Sequence, residues 1–341
     1  MTVQYNIKSG YNEDRVMDFM KVYREQYSDV DRYEPFDFTL TTFWGEAAES
    51  ANLAIPRRYI FLKDGNTVGL FQGLVRKILF YKGLRAGSTS GNGLAILPCI
   101  SKKELGLFLE RILSRHRYAS FSVFVRGSEG IQGFSKRTNY TFHIHLDHSL
   151  DLIWNRMDKK TRNRVRKAKK LGMNVDFSGS AESLANAYGV IASTSRAKGF
   201  SSPPRSWTTM LHECFQRNGC ESVIAVASVE NNDVLSVAHL IGFDKKLILW
   251  QAGSTMEGYK SNAGSLVQSK IIEWGKDHHY LIYDMGGTNP YLPVYAGIHH
   301  FKSGFGGSLF MNTLLEKRSF YVRAFRPLYS LYKQSDFIKR F

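Results

Sequence analysis

The order of helix-like and strand-like segments repeats once along this 341-residue chain, and this repetition constrains the fold more than any other feature. The first hairpin, helix and strand are predicted at Arg58–Lys63, Thr67–Lys77, Lys102–Arg115 and Tyr118–Val125. The second hairpin, helix and strand are predicted at Glu221–Val229, Val234–Phe243, Asn262–His278 and Leu281–Asp284. Turn residues join each hairpin, Asp64-Gly65-Asn66 in the first and Asn231-Asn232-Asp233 in the second. We interpret the pattern as two copies of one unit, with two unrelated α+β domains as the alternative.

The repeat predicts an α/β (α+β) fold with two domains, each a mixed twisted sheet flanked by helices. The chain is long enough for two cores, and 43% of its residues are apolar. We place the first domain at residues 1–150 and the second at 151–341.

The start of the chain and its cysteines indicate a cytoplasmic protein. The first residues lack the basic start and apolar block of a signal peptide, and no apolar run reaches the length of a membrane-spanning helix. Cys99, Cys214 and Cys220 have no metal-ligand spacing, which is typical of free thiols. His143 and His145 alternate on a predicted strand without a third ligand nearby, so no metal is expected.

A strongly basic helix is predicted at Lys159–Lys170. Eight of its twelve residues are Lys or Arg, none is acidic, and an apolar stripe runs along one side. Concentrated positive charge attracts phosphate, to which arginine offers two parallel hydrogen bonds. Arg162, Arg166 and Lys169 are therefore candidate substrate- or phosphate-binding residues, with a solvated basic face as the alternative. The net charge of +16 also favours polyanionic partners.

A second group of candidates lies towards the end of the chain. A buried strand ends at Asp284, followed by Gly286-Gly287, and Phe301-Lys302 precedes a glycine-rich turn. A lysine held beside backbone amides can stabilise an oxyanion. Asp284, like His299 and His300, could accept a proton, although structural hydrogen bonds are the alternative for each.

These residues resemble the motifs of the FemABX family, within the GNAT (acyl-CoA N-acyltransferase) superfamily. Arg162–Gly172, RNRVRKAKKLG, is similar to the family's basic signature. Tyr283–Gly287 resembles its YDxGG strand end, and Phe301–Gly307 resembles its FKxGFGG turn. The order and spacing of the motifs agree over roughly residues 150–310, and the first 150 residues agree in layout.

The resemblance implies two GNAT-type domains and transfer of an aminoacyl group from aminoacyl-tRNA to an amine, without a further cofactor. In the family the amine belongs to a peptidoglycan precursor peptide, so the implied acceptor is phosphorylated or lipid-linked, and the resemblance allows a peripheral contact with the inner face of the membrane. The first domain would face the acceptor. The short stretch between Ala185 and Glu221 leaves no room for the helical coiled-coil arm of some members.

Residue by residue, Lys302 matches the family lysine that stabilises the tetrahedral intermediate, and Phe301 matches its aromatic neighbour. One position departs from the family pattern. If Phe43-Trp44 corresponds to the family's early tryptophan, the basic residue expected four positions later is Ala48. That departure puts a peptidoglycan precursor in doubt as the acceptor.

Three functions remain open. The first is tRNA-dependent aminoacyl transfer, which is favoured because Glu257–Gly264, EGYKSNAG, lacks the usual pyrophosphate-binding pattern of CoA-dependent GNAT enzymes. The second is acyl-CoA-dependent N-acyl transfer of the BioF-like or CelD-like kind, onto a sugar amine or amino acid, with acyl-CoA as the donor. The third is a catalytically silent protein that binds nucleic acid or a membrane surface.

Overall fold

A computed structural model describes residues 4–27, 35–78, 81–88, 90–126, 130–229, 233–320 and 322 of the chain. Contacts divide the chain into two compact units. Unit 1 contains the described residues of Met1–Asn139 and Met311–Phe341, and unit 2 is formed by Tyr140–Phe310. The boundary predicted from sequence, after residue 150, lies later than this division and assigns the last segment to the other unit.

The helices and strands have the following bounds. The α-helices of the described residues are α1 (Glu13–Gln26), α2 (Thr42–Ser50), α3 (Lys102–His116), α4 (Leu150–Arg156), α5 (Lys159–Lys170), α6 (Ala181–Ala197), α7 (Arg205–Arg217), α8 (Met256–Lys260), α9 (Ala263–Asp277) and α10 (Ala296–Ser303). The strands of unit 1 are β1 (Tyr5–Ser9), β2 (Ile55–Lys63), β3 (Asn66–Ile78), β4 (Tyr81–Ala86), β5 (Leu94–Ile96), β6 (Ser120–Arg126) and most of β13 (Ser308–Arg318). The strands of unit 2 are most of β7 (Ser135–His145), then β8 (Asn174–Ser178), β9 (Glu221–Ser228), β10 (Val234–Phe243), β11 (Lys246–Ser254) and β12 (Ile282–Thr288).

The boundaries follow local chemistry. The side chain of Ser101 accepts the Glu104 amide and the Glu104 carboxylate accepts the Ser101 amide, a capping box that begins α3. The β2–β3 hairpin turns at Asp64 and Gly65, both with positive φ, as its sequence predicts. The matching turn at Asn231-Asn232 lies outside the described residues. Short 3-10 helices occupy Phe38–Leu40 and Pro293–Tyr295.

The two sheets have the same order of strands. In unit 1 the order is β1-β2-β3-β4-β6-β13, with β5 paired to β3, and in unit 2 it is β8-β9-β10-β11-β12-β7. Each sheet has one parallel pair at the corresponding place, β4 with β6 and β11 with β12, and its other neighbouring strands pair antiparallel. Two α-helices separate the first two strands of each copy. The two strands of the parallel pair are connected through β5 and α3 in the first copy and through α8 and α9 in the second. The predicted pair of mixed sheets flanked by helices is confirmed.

The last strand of each copy completes the sheet of the other copy. β7 follows β6 in the chain but pairs with β12, with Ile144 opposite Tyr283. β13 follows β12 but pairs with β6, with Leu315 opposite Val123. This exchange explains why the described residues from Met311 onwards belong to unit 1.

Each unit has its own apolar core. In unit 1, Phe61, Phe71, Phe108 and Phe121 pack between the sheet and α3. In unit 2 a larger cluster gathers residues of β7, β10, β11 and β12 with those of α5 and α9. Between α6 and α7 the chain runs only through residues 198–204, so no arm is inserted there. None of the described helices combines the length and apolar character needed to cross a bilayer.

Candidate active site

The parallel pair of unit 2 opens partway along its length. β11 and β12 are paired only over Lys246–Ile248 and Ile282–Asp284, although both strands continue beyond this point. On the opposite edge of β11, His239 faces Gln251 and Leu240 faces Leu249, so Trp250 is the extra residue of a β-bulge. A cavity of about 670 Å³ lies between the diverging strands, bordered also by α9 and α10. In unit 1, β4 stays paired with β6 up to Ala86, where β4 ends.

Lys302 lies in this cavity, on the last turn of α10. Its Nζ donates to the carbonyl oxygens of Gly286 and Gly287, each at 2.9 Å. An ammonium has three N–H groups, so one remains for a ligand. Burial lowers the pKa of Lys302 to about 8, against the attraction of Asp284 and with a smaller contribution from the Lys198 charge.

Gly286 makes this arrangement sterically feasible. Its φ is +77°, in the left-handed region that favours glycine. A Cβ there would lie 2.9 Å from the Leu249 carbonyl oxygen and 3.5 Å from the Lys302 Nζ. A side chain at this position would therefore occupy the space beside the ammonium.

Asp284 is fully buried and lies at the last paired position of β12, where β11 and β12 begin to diverge. Its Oδ2 lies 3.0 Å from Lys246 Nζ and 3.4 Å from His143 Nε2. Its Oδ1 accepts the Thr141 hydroxyl and the Gly286 amide. Burial alone would raise the pKa of Asp284, but these partners hold it well below its usual range. A carboxylate so strongly stabilised in its charged form is a weak base, and Asp284 does not line the cavity, so its environment argues against the predicted role of proton acceptor.

Of the aromatic and histidine candidates, Phe301 and His300 border the cavity and His299 does not. Phe301 borders the cavity and packs on Phe305 at a ring-centroid distance of 5.3 Å. His300 also borders the cavity. The Nδ1 atom of His299 lies 3.4 Å from the Thr288 hydroxyl, a structural contact.

The basic helix forms as α5, but its three candidate residues point elsewhere. Arg162 donates to the carbonyl oxygens at the end of α4, including that of Met157 at 2.7 Å. The guanidinium of Arg166 lies over the Trp154 ring, 5.4 Å from its centroid. Lys169 is 3.9 Å from Glu273. None of the three lines the cavity, and their binding role stays a prediction.

Two other cations border the cavity. Arg164 is half-buried on α5, next to the apolar stripe of Thr161, Val165 and Ala168. A helical projection of the basic segment puts Arg164 beside the buried stripe, but it puts Lys169 equally close on the other side, so it does not single out Arg164. Lys198 follows α6, and its Nζ lies 5.1 Å from the centroid of the Tyr259 ring. Nothing in the sequence around Lys198 distinguishes it from other exposed lysines.

The N-terminus of α9 completes the polar lining. Asn262, Gly264 and Ser265 border the cavity, and no side chain caps the first-turn amides of this helix among the described residues. The Ser265 amide donates to the Asn262 carbonyl oxygen at 3.0 Å. The preceding amides, of Ala263 and Gly264, remain for a ligand, and with the helix dipole they make this end a binding site for anions. With Arg164 and Lys198 nearby, this part of the cavity is suited to phosphate, although its sequence lacks the usual glycine pattern.

Comparisons with known proteins agree with this geometry. Residues 155–303 match the sequence profile of the acetyltransferase (GNAT) domain family. No curated protein sequence matches this chain. Among solved structures, FemX aligns with a TM-score of 0.69 at 15% identity, covering 96% of this chain and 100% of FemX.

Two further structures share the fold at low identity. A tandem GNAT protein from the clavulanic acid biosynthesis pathway aligns with a TM-score of 0.58 at 8% identity, covering 92% of this chain and 98% of its own. L-PGS from Bacillus licheniformis aligns with a TM-score of 0.52 at 12% identity, covering 94% and 97%. Residues 155–303 therefore form a GNAT acyltransferase domain, and the chain that carries them is an acyltransferase with the fold of FemX, as the FemABX-like motifs predicted.

Proposed function

We propose that unit 2 transfers an aminoacyl group from aminoacyl-tRNA to an amine, with Lys302 stabilising the oxyanion. The observation that carries this proposal is the buried Lys302 ammonium, held by two glycine carbonyls at the edge of a cavity between diverging strands. A positive charge that is buried and held in place acts most strongly on negative charge that develops in the transition state.

The reaction needs no nucleophilic side chain. The neutral amine attacks the ester carbonyl carbon, and the carbonyl electrons move to oxygen, where the free N–H of Lys302 meets them. Collapse of this intermediate expels the ribose oxygen, which takes up the proton that the amine loses. With a pKa of about 8, Lys302 carries its proton at neutral pH and can donate this hydrogen bond.

The phosphate groups of the donor would bind at the anion site. The first-turn amides of α9, with Arg164 and Lys198, form a positively charged border to the cavity. The exposed cations of α5, Arg166 and Lys169 among them, would contact more distant phosphates of a full tRNA. Phe301 would pack against the transferred group.

The acceptor that the motif resemblance favours is an amine of a phosphorylated or lipid-linked cell-envelope precursor, used on the cytoplasmic side of the membrane. Ala48 is buried on α2, so that position offers no cation to such an acceptor. Other cations would have to bind its phosphates. A peripheral membrane contact belongs to the same proposal.

A second candidate is acyl transfer from acyl-CoA. The observation that favours it is the same anion site, because an uncapped helix end with two cations also suits a pyrophosphate. The tandem GNAT protein from the clavulanic acid pathway, whose structure was solved without AcCoA, shares this fold.

The test offers the full-length protein both donors with an amine acceptor and identifies products by mass spectrometry. We expect an aminoacyl product from charged tRNA, and a product from acetyl-CoA alone would favour the second candidate. Lys302→Ala should lower the single-turnover rate about 10²–10³-fold, with little change in donor affinity. Lys302→Arg should recover little of it, since the guanidinium differs in shape and reach. Lys8→Ala, at an exposed position of unit 1, is the control, and near-normal turnover by Lys302→Ala would exclude this mechanism.

A further inference from the structure

Two glutamine side chains border the cavity, one from α9 and one from β11. Gln268 and Gln251 are 3% and 9% exposed, so both amides are almost entirely enclosed. Buried amides in folded proteins nearly always have hydrogen-bond partners on both the oxygen and the nitrogen. A glutamine that lines a cavity with an unused nitrogen is therefore a candidate ligand contact.

Tyr283 fixes the orientation of Gln268. The Tyr283 hydroxyl lies 2.6 Å from Gln268 Oε1 and is fully buried. A buried hydroxyl must donate its proton, and no other acceptor for it lies within hydrogen-bond distance among the described residues. Burial, with the neighbouring Asp284 charge, also raises the pKa of Tyr283 well above its usual value, which keeps the hydroxyl protonated. The oxygen of Gln268 is thus directed to Tyr283, and its NH₂ group, on the other side of the amide, is left to donate elsewhere.

The oxygen of Gln251 also faces a protein hydroxyl, at a longer distance than the oxygen of Gln268. Its Oε1 lies 3.5 Å from the Thr208 hydroxyl, and its buried Nε2 has no acceptor among the described residues. The cavity is therefore lined by two carboxamides, each with its oxygen directed to a protein hydroxyl. The group of Gln268 that is left without a partner is its NH₂, a hydrogen-bond donor.

Gln268 lies on the closed side of the cavity. Gly264 belongs to the anion-binding end of α9, and Gln268 is four residues further on, about 6 Å along the helix at 1.5 Å per residue. It meets Tyr283, which is still within the paired part of β11 and β12. A donor with its phosphates at the helix end would direct its acyl group towards this closed side.

We propose that Gln268, oriented by Tyr283, selects the transferred group by donating to a hydroxyl or carbonyl oxygen on its side chain. This inference rests on the proposed acyl transfer and names the class of acyl group. A seryl group supplies an oxygen acceptor, whereas an alanyl group leaves the amide unpaired. A lysyl group would bring an ammonium, which only donates, against a donor.

The test measures kcat/KM for seryl-, alanyl- and lysyl-tRNA with one acceptor amine. For the wild-type protein we expect seryl to exceed alanyl at least tenfold, since a site built to hydrogen-bond a substrate group discriminates strongly against its absence. Gln268→Leu, of similar size, should bring that ratio to within about twofold. Gln268→Glu should favour lysyl, because Tyr283 still occupies one oxygen and the other can only accept.

Tyr283→Phe is the second variant and keeps the selecting amide itself. It should lower kcat/KM for seryl-tRNA more than for alanyl-tRNA, whereas a purely structural loss would lower both by the same factor. A wild-type preference for alanyl or lysyl, or an unchanged ratio in Gln268→Leu, would overturn the inference.

Failure of the tRNA proposal can be distinguished from failure of the selection by Gln268. If only acyl-CoA yields product, the tRNA proposal fails, and the same ratio is measured with 3-hydroxybutyryl-CoA and butyryl-CoA. A preference for the hydroxyacyl donor that Gln268→Leu removes would then support the selection by Gln268. The absence of that preference would overturn it.

Discussion

Replacing Lys302 with methionine tests the electrostatics of the candidate site independently of any substrate. The pKa of Lys302 falls from 10.5 to about 8 because its ammonium is buried. Each factor of ten in a protonation equilibrium corresponds to about 1.4 kcal/mol. The charged lysine should therefore destabilise the folded protein by about 3 kcal/mol.

The pH dependence of this penalty follows from linkage. Below about pH 8 the folded and unfolded chains both bind the proton, and the full penalty is present. Between about pH 8 and 10.5 the unfolded chain binds more protons, so the stability of the wild type rises with pH. Lys302→Met has no such group. The loss of the two hydrogen bonds to Gly286 and Gly287 also alters stability, but by an amount that hardly depends on pH.

The assay is urea unfolding of both proteins at pH 7, 8, 9 and 10, followed by the fluorescence of tryptophan, including Trp250 in the cavity. We expect the unfolding free energy of the wild type, minus that of Lys302→Met, to rise by about 2–3 kcal/mol from pH 7 to pH 10. Titrations common to both proteins cancel in this difference. A flat difference would mean that Lys302 has an ordinary pKa, and the account of a buried, charged site would then be wrong.

Three further experiments, with five variants in all, test the surroundings of the site. Arg162→Ala should lower the unfolding free energy by about 1–3 kcal/mol, because the carbonyls at the end of α4 lose a charged donor, whereas Arg166→Ala should lower it by less than about 1 kcal/mol; equal effects in urea unfolding would contradict the contrast. Asp284→Asn should destabilise the protein by about 3–5 kcal/mol at neutral pH; the gap from wild type should close as acid protonates Asp284, and a gap that widens in acid would refute the reasoning. Gly286→Ala should abolish turnover through crowding beside Lys302, while Gly172→Ala, with φ +71° and open space around its Cβ position, should cost about 1 kcal/mol and leave kcat unchanged; comparable kcat values would count against the steric argument.

Local signals in the sequence were sufficient to place most helices and hairpins. Ser101 and Asn12 cap their helices, and the apolar stripe of Lys159–Lys170 predicted α5 with its observed bounds. Lys302 was expected in a turn but lies on a helix, since the glycines that follow it suggest a turn and the short helix before them has little periodicity. The pairing of β7 with β12 could not be predicted, because a strand pattern says nothing about which distant strand it joins.

The contacts that each charged side chain makes were harder to predict than the helix or strand on which it lies. Periodicity grouped Arg162 with Arg166, but Arg162 donates its hydrogen bonds to carbonyl oxygens at the end of α4. These hydrogen bonds depend on how α4 and α5 pack together, which the periodicity of α5 does not predict. Arg164 and Lys198 border the cavity only because of tertiary packing. Gln251 and Gln268 have no motif, and their directed amides depend on hydroxyl groups contributed by other elements.

The exchange of last strands has a consequence for synthesis of the chain on the ribosome. β6 and β7 emerge early and in succession, but in the finished protein β7 needs β12 and β6 needs β13. Until those strands emerge, β6 and β7 each present an unpaired edge, and unpaired edges are prone to wrong pairing. We expect a nascent chain that ends before β12 to pair β6 with β7 locally, in an arrangement that must be undone later. Neither copy can then be expressed alone as a finished domain, since residues 151–341 lack β7, which carries the Thr141 and His143 partners of Asp284.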